Sequence, residues 1–128
     1  MSSEFDYVVV GAGSAGCILA NRLTESGKNT VCLLEAGPPD WNPFIHIPAG
    51  FMKTLANPSV NWLFKSEPSW GTNGRNIDIP RGKTLGGSSS INGVVFNRGQ
   101  NMDFDVWSQK GNLGWSYNDV LPYFKSME

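Results

Sequence analysis

The residues of this sequence best placed to do chemistry are Gly11, Gly13 and Gly16, which form a Gly-x-Gly-x-x-Gly pattern. An apolar run precedes them and a run with helical spacing follows, which predicts a strand–turn–helix. In such a turn the first glycine permits the sharp bend, the second admits a pyrophosphate to the backbone, and the third lets the helix approach the strand. The helix start also offers free N–H groups and a positive dipole end. The pattern therefore predicts a dinucleotide site.

Glu35 ends the next apolar run, where dinucleotide-binding folds place an acidic residue. Its carboxylate could accept hydrogen bonds from an adenosine ribose and would repel a 2′-phosphate, so NADP is the least favoured dinucleotide. Two alternatives remain open: a βαβ turn with a purely structural role, and a site that has lost its ligand.

The elements that must position these residues are two strands and a helix. We predict a strand at Tyr7–Val10, a helix over 14–25, and a second strand over 30–35 that runs parallel through a right-handed crossover. The first strand is apolar throughout, which is typical of a parallel strand covered on both faces. The helix stripe expected against the sheet consists of Ile18, Leu19 and Leu23.

Prolines follow this βαβ unit, and residues 37–48 are predicted to form an extended loop. A short helix or turn is expected over 49–56. Two runs typical of strands, 61–67 and 75–80, flank the turn-forming residues 71–74 and predict a hairpin.

Two helices are predicted in the remaining residues. One spans about 103–109, and the other begins at Ser116, whose hydroxyl can cap it while Asp119 occupies the third helical position. Pro122 would strain this second helix unless the helix kinks.

Composition excludes several classes of protein. The net charge is −1 with no basic patch, so a nucleic-acid partner is not expected. The apolar N-terminal run is broken by glycines and fits neither a secretory signal nor a membrane span, although peripheral membrane association stays open. Cys17 and Cys32 are expected to be buried free thiols, which suits a reducing compartment such as the cytoplasm.

Glycine and proline contents indicate that the domain is incomplete. Fifteen glycines and eight prolines make much of the chain turn and loop, and strand–helix alternation is confined to the first unit. We expect the opening of a larger protein, divided into a βαβ unit (1–37), a loop and hairpin (38–80), a second ligand-binding motif (81–99) and a helical segment (100–128). Its uncovered sheet should leave the isolated chain marginally stable or cause it to aggregate.

A second glycine-rich segment spans residues 81–93. Gly86 and Gly87 free the backbone to approach a ligand, and the three serines that follow supply hydroxyls and N–H groups at an expected helix start. A serine-capped surface turn is the alternative interpretation. Two anion-binding segments in one short chain favour a long dinucleotide that needs a second contact along its body.

The sequence resembles the N-terminal part of the glucose–methanol–choline oxidoreductases, FAD-dependent enzymes that oxidise alcohols, and within them choline dehydrogenases and acceptor-linked alcohol dehydrogenases. The resemblance covers essentially the whole chain and is strongest over residues 81–92. The stretches that carry it are 6–16, 34–37, 80–93, 96–99, 114–117 and 121–124. It implies an α/β fold, the N-terminal portion of a Rossmann-like FAD-binding domain.

The resemblance also implies a role in binding FAD for particular residues. Those at the pyrophosphate are Gly11, Gly13, Ser14, Ala15 and Gly16. Glu35 and Ala36 would lie at the adenosine ribose. Those along the middle of the cofactor are Arg81, Gly86, Gly87 and Ser88. Asn92, Gly93 and Val94 would run beside the flavin ring, where N–H groups can stabilise the reduced flavin. Ile91 stands where some members carry a flavin-linked histidine, so the FAD is expected to be non-covalent.

The catalytic histidine of this family lies near the end of a much longer chain, so no catalytic residue is predicted here. His46 lies in the proline-rich loop, away from the family motifs, and a structural role is expected for it. The resemblance implies an enzyme that passes hydride from an alcohol to flavin and then to a quinone or oxygen, once the C-terminal part of the polypeptide is present. A fragment of an NAD-dependent dehydrogenase and a non-catalytic nucleotide-binding module are the alternatives.

Overall fold

A computed structural model describes residues 4–128, which form two compact units that meet in sequence between Val94 and Val95. The first unit contains β1 (Tyr7–Val10), α1 (Ser14–Thr24), β2 (Val31–Leu34), α2 (Pro43–His46), α3 (Phe51–Thr54), β3 (Phe64–Lys65) and β4 (Asp78–Ile79). It also contains three 3₁₀ turns, at Pro48–Gly50, Trp70–Thr72 and Gly87–Ser90. The second unit contains α4 (Asn101–Gln109) and α5 (Tyr117–Ser126).

Strands β1 and β2 pair in parallel with Tyr7 opposite Val31 and Val10 opposite Leu34, and α1 connects them. The predicted βαβ unit is therefore confirmed. At the amino ends of the strands the Thr30 amide and hydroxyl donate to one Asp6 carboxylate oxygen, at 2.7 and 2.8 Å. These hydrogen bonds, the backbone one foremost, lower the pKa of Asp6 below its ordinary value.

Helix α1 packs on the strands through small residues. Gly16 is buried and Ala20 and Leu23 are half-buried, whereas Ile18 and Leu19 are about half exposed. The predicted stripe is therefore wrong except at Leu23. The reason is that Gly16 and Ala20 bring the helix backbone close to the sheet, which turns the larger side chains of that turn outward.

Apolar side chains of the two strands are also exposed. The exposed fraction is 59% for Val8 and 82% for Val10, so β1 is not covered on both faces by the described residues. The buried hydrophobic residues of the described chain are Ala12, Val60 and Ile91, all outside the strands. The best-packed part of this unit therefore lies among its loops.

The proline-rich segment is more regular than the sequence predicts. Pro43 occupies the first position of α2, where a missing amide costs nothing, and the Asn42 side chain accepts a hydrogen bond from the Phe44 amide (3.0 Å). The extended loop predicted for 37–48 is thus wrong where this short helix forms. The short helix within 49–56 is confirmed as α3.

The predicted hairpin is confirmed: β3 and β4 pair antiparallel, with Phe64 opposite Ile79. Its connection contains the Trp70–Thr72 turn, which the left-handed Asn73 ends at φ 51°.

In the second unit, both predicted helices are confirmed. The Ser116 amide donates to the Asp119 carboxylate (3.0 Å) at the start of α5, and the helix continues through Pro122 to its end. Phe104 of α4 contacts Phe124 of α5 edge to face, with ring centroids 5.5 Å apart. Aromatic packing therefore holds this helix pair together.

Within residues 4–128, no helix is long and apolar enough to cross a bilayer. Cys17 is exposed and Cys32 half-buried, and both are free. The expected burial of the two thiols is therefore wrong, because the strand and helix that carry them are themselves largely uncovered.

Candidate functional site

The turn between β1 and α1 has the geometry that its three glycines predict. Gly11 adopts φ +95°, and its amide donates to the Leu34 carbonyl (2.7 Å), which ties the turn to the end of β2. Gly13 is the N-cap of α1 in extended conformation and makes no side-chain cap. The first helical hydrogen bond joins the Cys17 amide to the Gly13 carbonyl (2.9 Å). The amides of residues 14–16 therefore precede the helical ladder and lie at the positive end of the helix dipole.

Two of these glycines differ in what surrounds them. A Cβ on Gly16 would lie 1.9 Å from the Gly11 carbonyl oxygen, which confirms that the third glycine permits the close approach of helix and turn. A Cβ on Gly13 would meet the Gly87 Cα at 4.0 Å. The space in front of Gly13 is therefore open enough to admit a ligand.

The Glu35 carboxylate stabilises the turn between β1 and α1 through hydrogen bonds to backbone amides. One oxygen accepts a hydrogen bond from the Ala12 amide (2.8 Å), and the other accepts one from the Gly37 amide (2.9 Å). Both bonds are partly buried. A carboxylate oxygen can accept two hydrogen bonds, so each retains capacity for a ligand hydroxyl. Ala36 follows at the same end of β2 and lines a cavity with Glu35.

The second glycine-rich segment lies directly against the first. The Gly86 amide donates to the Ala12 carbonyl (2.8 Å), and Gly13 and Gly86 form an isolated parallel bridge. The fully buried Thr84 hydroxyl donates to the Pro38 carbonyl (2.8 Å), just beyond β2. Segments distant in sequence thus meet at the carboxyl end of the β1–β2 pair, the edge where open α/β sheets bind ligands.

The three serines build a 3₁₀ turn, and the helix start expected there is wrong. The Ser88 hydroxyl accepts from the Gly82 amide (3.1 Å), while Ser89 and Ser90 donate to carbonyls within 85–86 (2.6 and 2.7 Å). The hydroxyls therefore hold their own segment together. Local side-chain hydrogen bonds of this kind compete with helix formation, and this turn ends at Ser90.

Beyond this turn, Val94 has φ +58° and is 67% exposed. The Asn92 side chain accepts a hydrogen bond from the Val94 amide (2.8 Å). A β-branched residue in the left-handed region is strained, and such strain is found disproportionately at functional sites. Gly93 lies near the Phe51 ring, 4.0 Å from its would-be Cβ.

Arg81 is fixed by its backbone and side chain. Its amide donates to the Asn61 side-chain oxygen (3.0 Å), and its guanidinium donates to the Pro80 carbonyl (2.7 Å). Asn61 is 2% exposed and also donates to the Leu55 carbonyl (2.8 Å). Asn61 was not predicted from the sequence as part of this site. An amide side chain at the start of an apolar run was a signal for a buried polar group that hydrogen-bonds to the backbone.

Trp62 was also missed. It lines a cavity of about 390 Å³ together with Glu35 and Ala36, next to the glycine turn. The signal was an aromatic residue in the hairpin run, but only the folded chain brings that run to the end of β2.

His46 contacts a residue outside this group. Its Nε2 atom lies 2.6 Å from the Asp40 carbonyl oxygen. Among residues 4–128, no three His, Cys, Asp or Glu side chains form a group that could hold a metal ion.

Comparison with known proteins identifies the family. The family described as GMC oxidoreductase matches residues 5–128, nearly the whole chain. The chain belongs to the GMC oxidoreductase family. The resemblance noted in the sequence is confirmed.

Curated relatives of this GMC oxidoreductase chain include two proteins named oxygen-dependent choline dehydrogenase. The protein from Rhizobium johnstonii is 52% identical over 98% of this chain, and that from Brucella suis biovar 1 is 51% identical over 98%. In both cases the chain spans 23% of the length of the relative.

Solved structures share the fold. The pyridoxine 4-oxidase from Mesorbium loti has a TM-score of 0.87 and 37% identity, covering 94% of this chain and 24% of its own. A variant formate oxidase from Aspergillus oryzae, studied for modification of its FAD, has a TM-score of 0.85 and 36% identity. That match covers 95% of this chain and 22% of the oxidase. The fold expectation, an α/β unit from the N-terminal part of these enzymes, is confirmed.

Proposed function

We propose that this chain forms the FAD-binding N-terminal part of an enzyme that oxidises an alcohol. The observation that carries the proposal is the contact between the two glycine-rich segments at the carboxyl end of β1 and β2, through the Gly86 amide and the Ala12 carbonyl. A dinucleotide is a long ligand, and two adjacent backbone cradles suit its length better than one.

The first cradle fits a pyrophosphate. Gly11 and Gly13 leave space at the start of α1, and the amides of residues 14–16 are available there as donors. Backbone donors and the helix dipole together favour a doubly charged phosphate pair. Ser14, Ala15 and Gly16 would therefore hold the pyrophosphate through their amides.

The adenosine end would lie toward Glu35 and Ala36. The Glu35 carboxylate is already oriented by the Ala12 and Gly37 amides, so ribose hydroxyls would meet an acceptor fixed in place. A 2′-phosphate there would be repelled by the same charge. This favours FAD over NADP.

The middle and flavin ends of the cofactor are assigned to the second segment. Arg81, Gly86, Gly87 and Ser88 would lie along the middle, and Asn92, Gly93 and Val94 beside the flavin ring. The exposed, strained backbone at Val94 supports this placement, because such geometry persists where it serves a ligand. Ile91 is 2% exposed and carries no nucleophile, which supports a non-covalent flavin.

Bound FAD supplies a hydride acceptor for a CH–OH donor. The residues of this chain would bind and orient the cofactor, and a base that takes the hydroxyl proton would come from the C-terminal part of the polypeptide. The relatives named oxygen-dependent choline dehydrogenase support a choline-like alcohol as substrate and oxygen as the electron acceptor. A quinone is the other acceptor that the family resemblance implies. We place the protein in the cytoplasm, free or at a membrane surface.

The test uses the protein as its gene encodes it, purified and examined by absorption spectroscopy. We expect a flavin spectrum, release of FAD on acid denaturation with no flavin mass left on the polypeptide, and bleaching by choline without oxygen. Bound NAD in place of flavin would support the alternative of an NAD-dependent dehydrogenase. Absence of any dinucleotide from a folded preparation that also fails to take up added FAD would refute the proposal.

A further inference from the structure

A cavity opens beside the glycine turn at the carboxyl end of the β1–β2 pair. Its volume, about 390 Å³, is within the range of small-molecule sites. The residues that line it are Val10, Gly11, Leu34, Glu35, Ala36 and Trp62. They combine one carboxylate, aliphatic side chains and one indole ring.

Trp62 is 43% exposed, and two neighbouring side chains contact its indole. The Phe64 ring stacks on it, with centroids 5.7 Å apart and planes 8° from parallel. The Lys83 ammonium lies 4.8 Å from its centroid, a favourable cation–π distance. A side chain held by two neighbours loses little rotamer freedom when a ligand binds.

The backbone fixes the position of Trp62 as well. Its amide donates to the Arg81 carbonyl (2.9 Å), and the Lys83 amide donates to the Val60 carbonyl (2.8 Å). These bonds attach the segment around Trp62 to the second glycine-rich segment, which itself bonds to the first. Trp62 therefore belongs to the same hydrogen-bonded group of loops as Glu35.

We infer that Trp62 forms the wall of the adenosine end of the site and contributes to the affinity for the adenine-bearing half of FAD. The cavity chemistry matches a nucleoside: a carboxylate for ribose hydroxyls, and apolar and aromatic surface for a flat base. This inference rests on the proposed function and adds a cofactor-binding residue that the glycine and acidic motifs do not contain.

The experiment compares three variants of the protein as its gene encodes it: Trp62→Leu, Trp62→Phe and the control Trp70→Leu. Trp70 lies in the same unit and is 97% exposed, so its loss removes an indole without touching the cavity. FAD affinity is measured by flavin fluorescence on adding FAD to the apoprotein, and ADP affinity by competition. Circular dichroism checks that each variant is folded.

Trp62→Leu is expected to weaken FAD and ADP binding by about tenfold each. This is in line with the loss measured when an aromatic side chain that contacts a base is replaced. Trp62→Phe should retain most of the affinity, and Trp70→Leu all of it. Unchanged FAD and ADP affinity in Trp62→Leu would overturn the inference while leaving FAD binding itself intact. So would equal losses in the Leu and Phe variants, a loss for FAD alone, or failure of ADP to compete in the parent protein. A parent protein that binds no FAD refutes the proposed function as well.

Discussion

In the first glycine-rich segment, a Cβ on Gly11 would meet no described atom within 4 Å and one on Gly13 would meet only the Gly87 Cα, at 4.0 Å. In the second segment, a Cβ on Gly82 would lie 2.1 Å from the Gly87 carbonyl oxygen, and one on Gly87 would lie 2.8 Å from the Gly13 Cα. In the sequence, both segments have the pattern of a glycine-rich turn. Their glycines nevertheless face different surroundings.

The difference separates two uses of glycine. Gly11 and Gly13 border open space that a ligand could occupy, whereas Gly82 and Gly87 allow one backbone to pack on another. The second segment therefore supports the first, whatever contact it makes with the cofactor. Substitutions at Gly82 and Gly87 should then damage the fold, and substitutions at Gly13 should damage binding.

The largest expected effect is from Gly82→Ala. Its methyl group would overlap the backbone at Gly87, and we expect the free energy of unfolding to fall by about 3 kcal/mol. Urea denaturation measures the change. Gly71→Ala is the matched control, because its Cβ would meet only the Ser69 hydroxyl at 3.9 Å. Equal stability of the two variants would contradict the packing role of the second segment.

Gly13→Val tests the role of the first glycine-rich segment in binding. The side chain would occupy the space assigned to the pyrophosphate, and we expect FAD affinity to fall by at least about 100-fold, or about 2.8 kcal/mol. Gly13→Ala should show a smaller loss with nearly unchanged unfolding, because its Cβ has room. Fluorescence titration with FAD gives the affinity. Full flavin content in purified Gly13→Val would show that the first segment is not the phosphate cradle.

Glu35→Ala should affect both properties, because Glu35 braces the turn and faces the cavity. We expect FAD binding to weaken by about 1.5–3 kcal/mol and the fold to lose about 1–2 kcal/mol as the Ala12 and Gly37 amides lose their acceptor. Glu35→Gln, which retains one acceptor oxygen, should fall between Ala and the parent in both measurements. A loss of stability with unchanged FAD affinity would make Glu35 a purely structural residue.

The smallest effect is expected from Asp6→Asn at the amino end of the strands. Hydrogen bonds from Thr30 lower the pKa of Asp6, so its contribution to stability is present above the ordinary value of 3.8 and is lost as pH falls through the lowered value. The variant should therefore show a weaker loss of thermal stability on acidification below pH 3.8 than the parent. FAD affinity at neutral pH should not change. Weaker FAD binding in this variant would mean that a change at the amino end of the strand pair affects the site at the carboxyl end.

Local patterns were sufficient to predict most of the regular elements. The βαβ unit, the hairpin and both helices of the second unit follow from apolar runs, turn residues and the Ser116 cap, and all are confirmed. Predictions failed where a competing local interaction decided the outcome. Asn42 and Pro43 started a helix in a segment predicted as a loop, and serine hydroxyls closed a 3₁₀ turn where a helix was expected.

The amino-acid sequence by itself determined the strand–turn–helix, the acidic residue after the second strand, and the family to which the chain belongs. These depend on residue type and spacing along the chain, which set backbone conformation locally. Only the tertiary structure decided which glycines are open and which are packed, that Glu35 holds the turn through two amides, and that Trp62 reaches the cavity. Each of these requires segments far apart in sequence to meet. Their meeting depends on long-range backbone hydrogen bonds, such as that from Gly86 to Ala12, that no local pattern encodes.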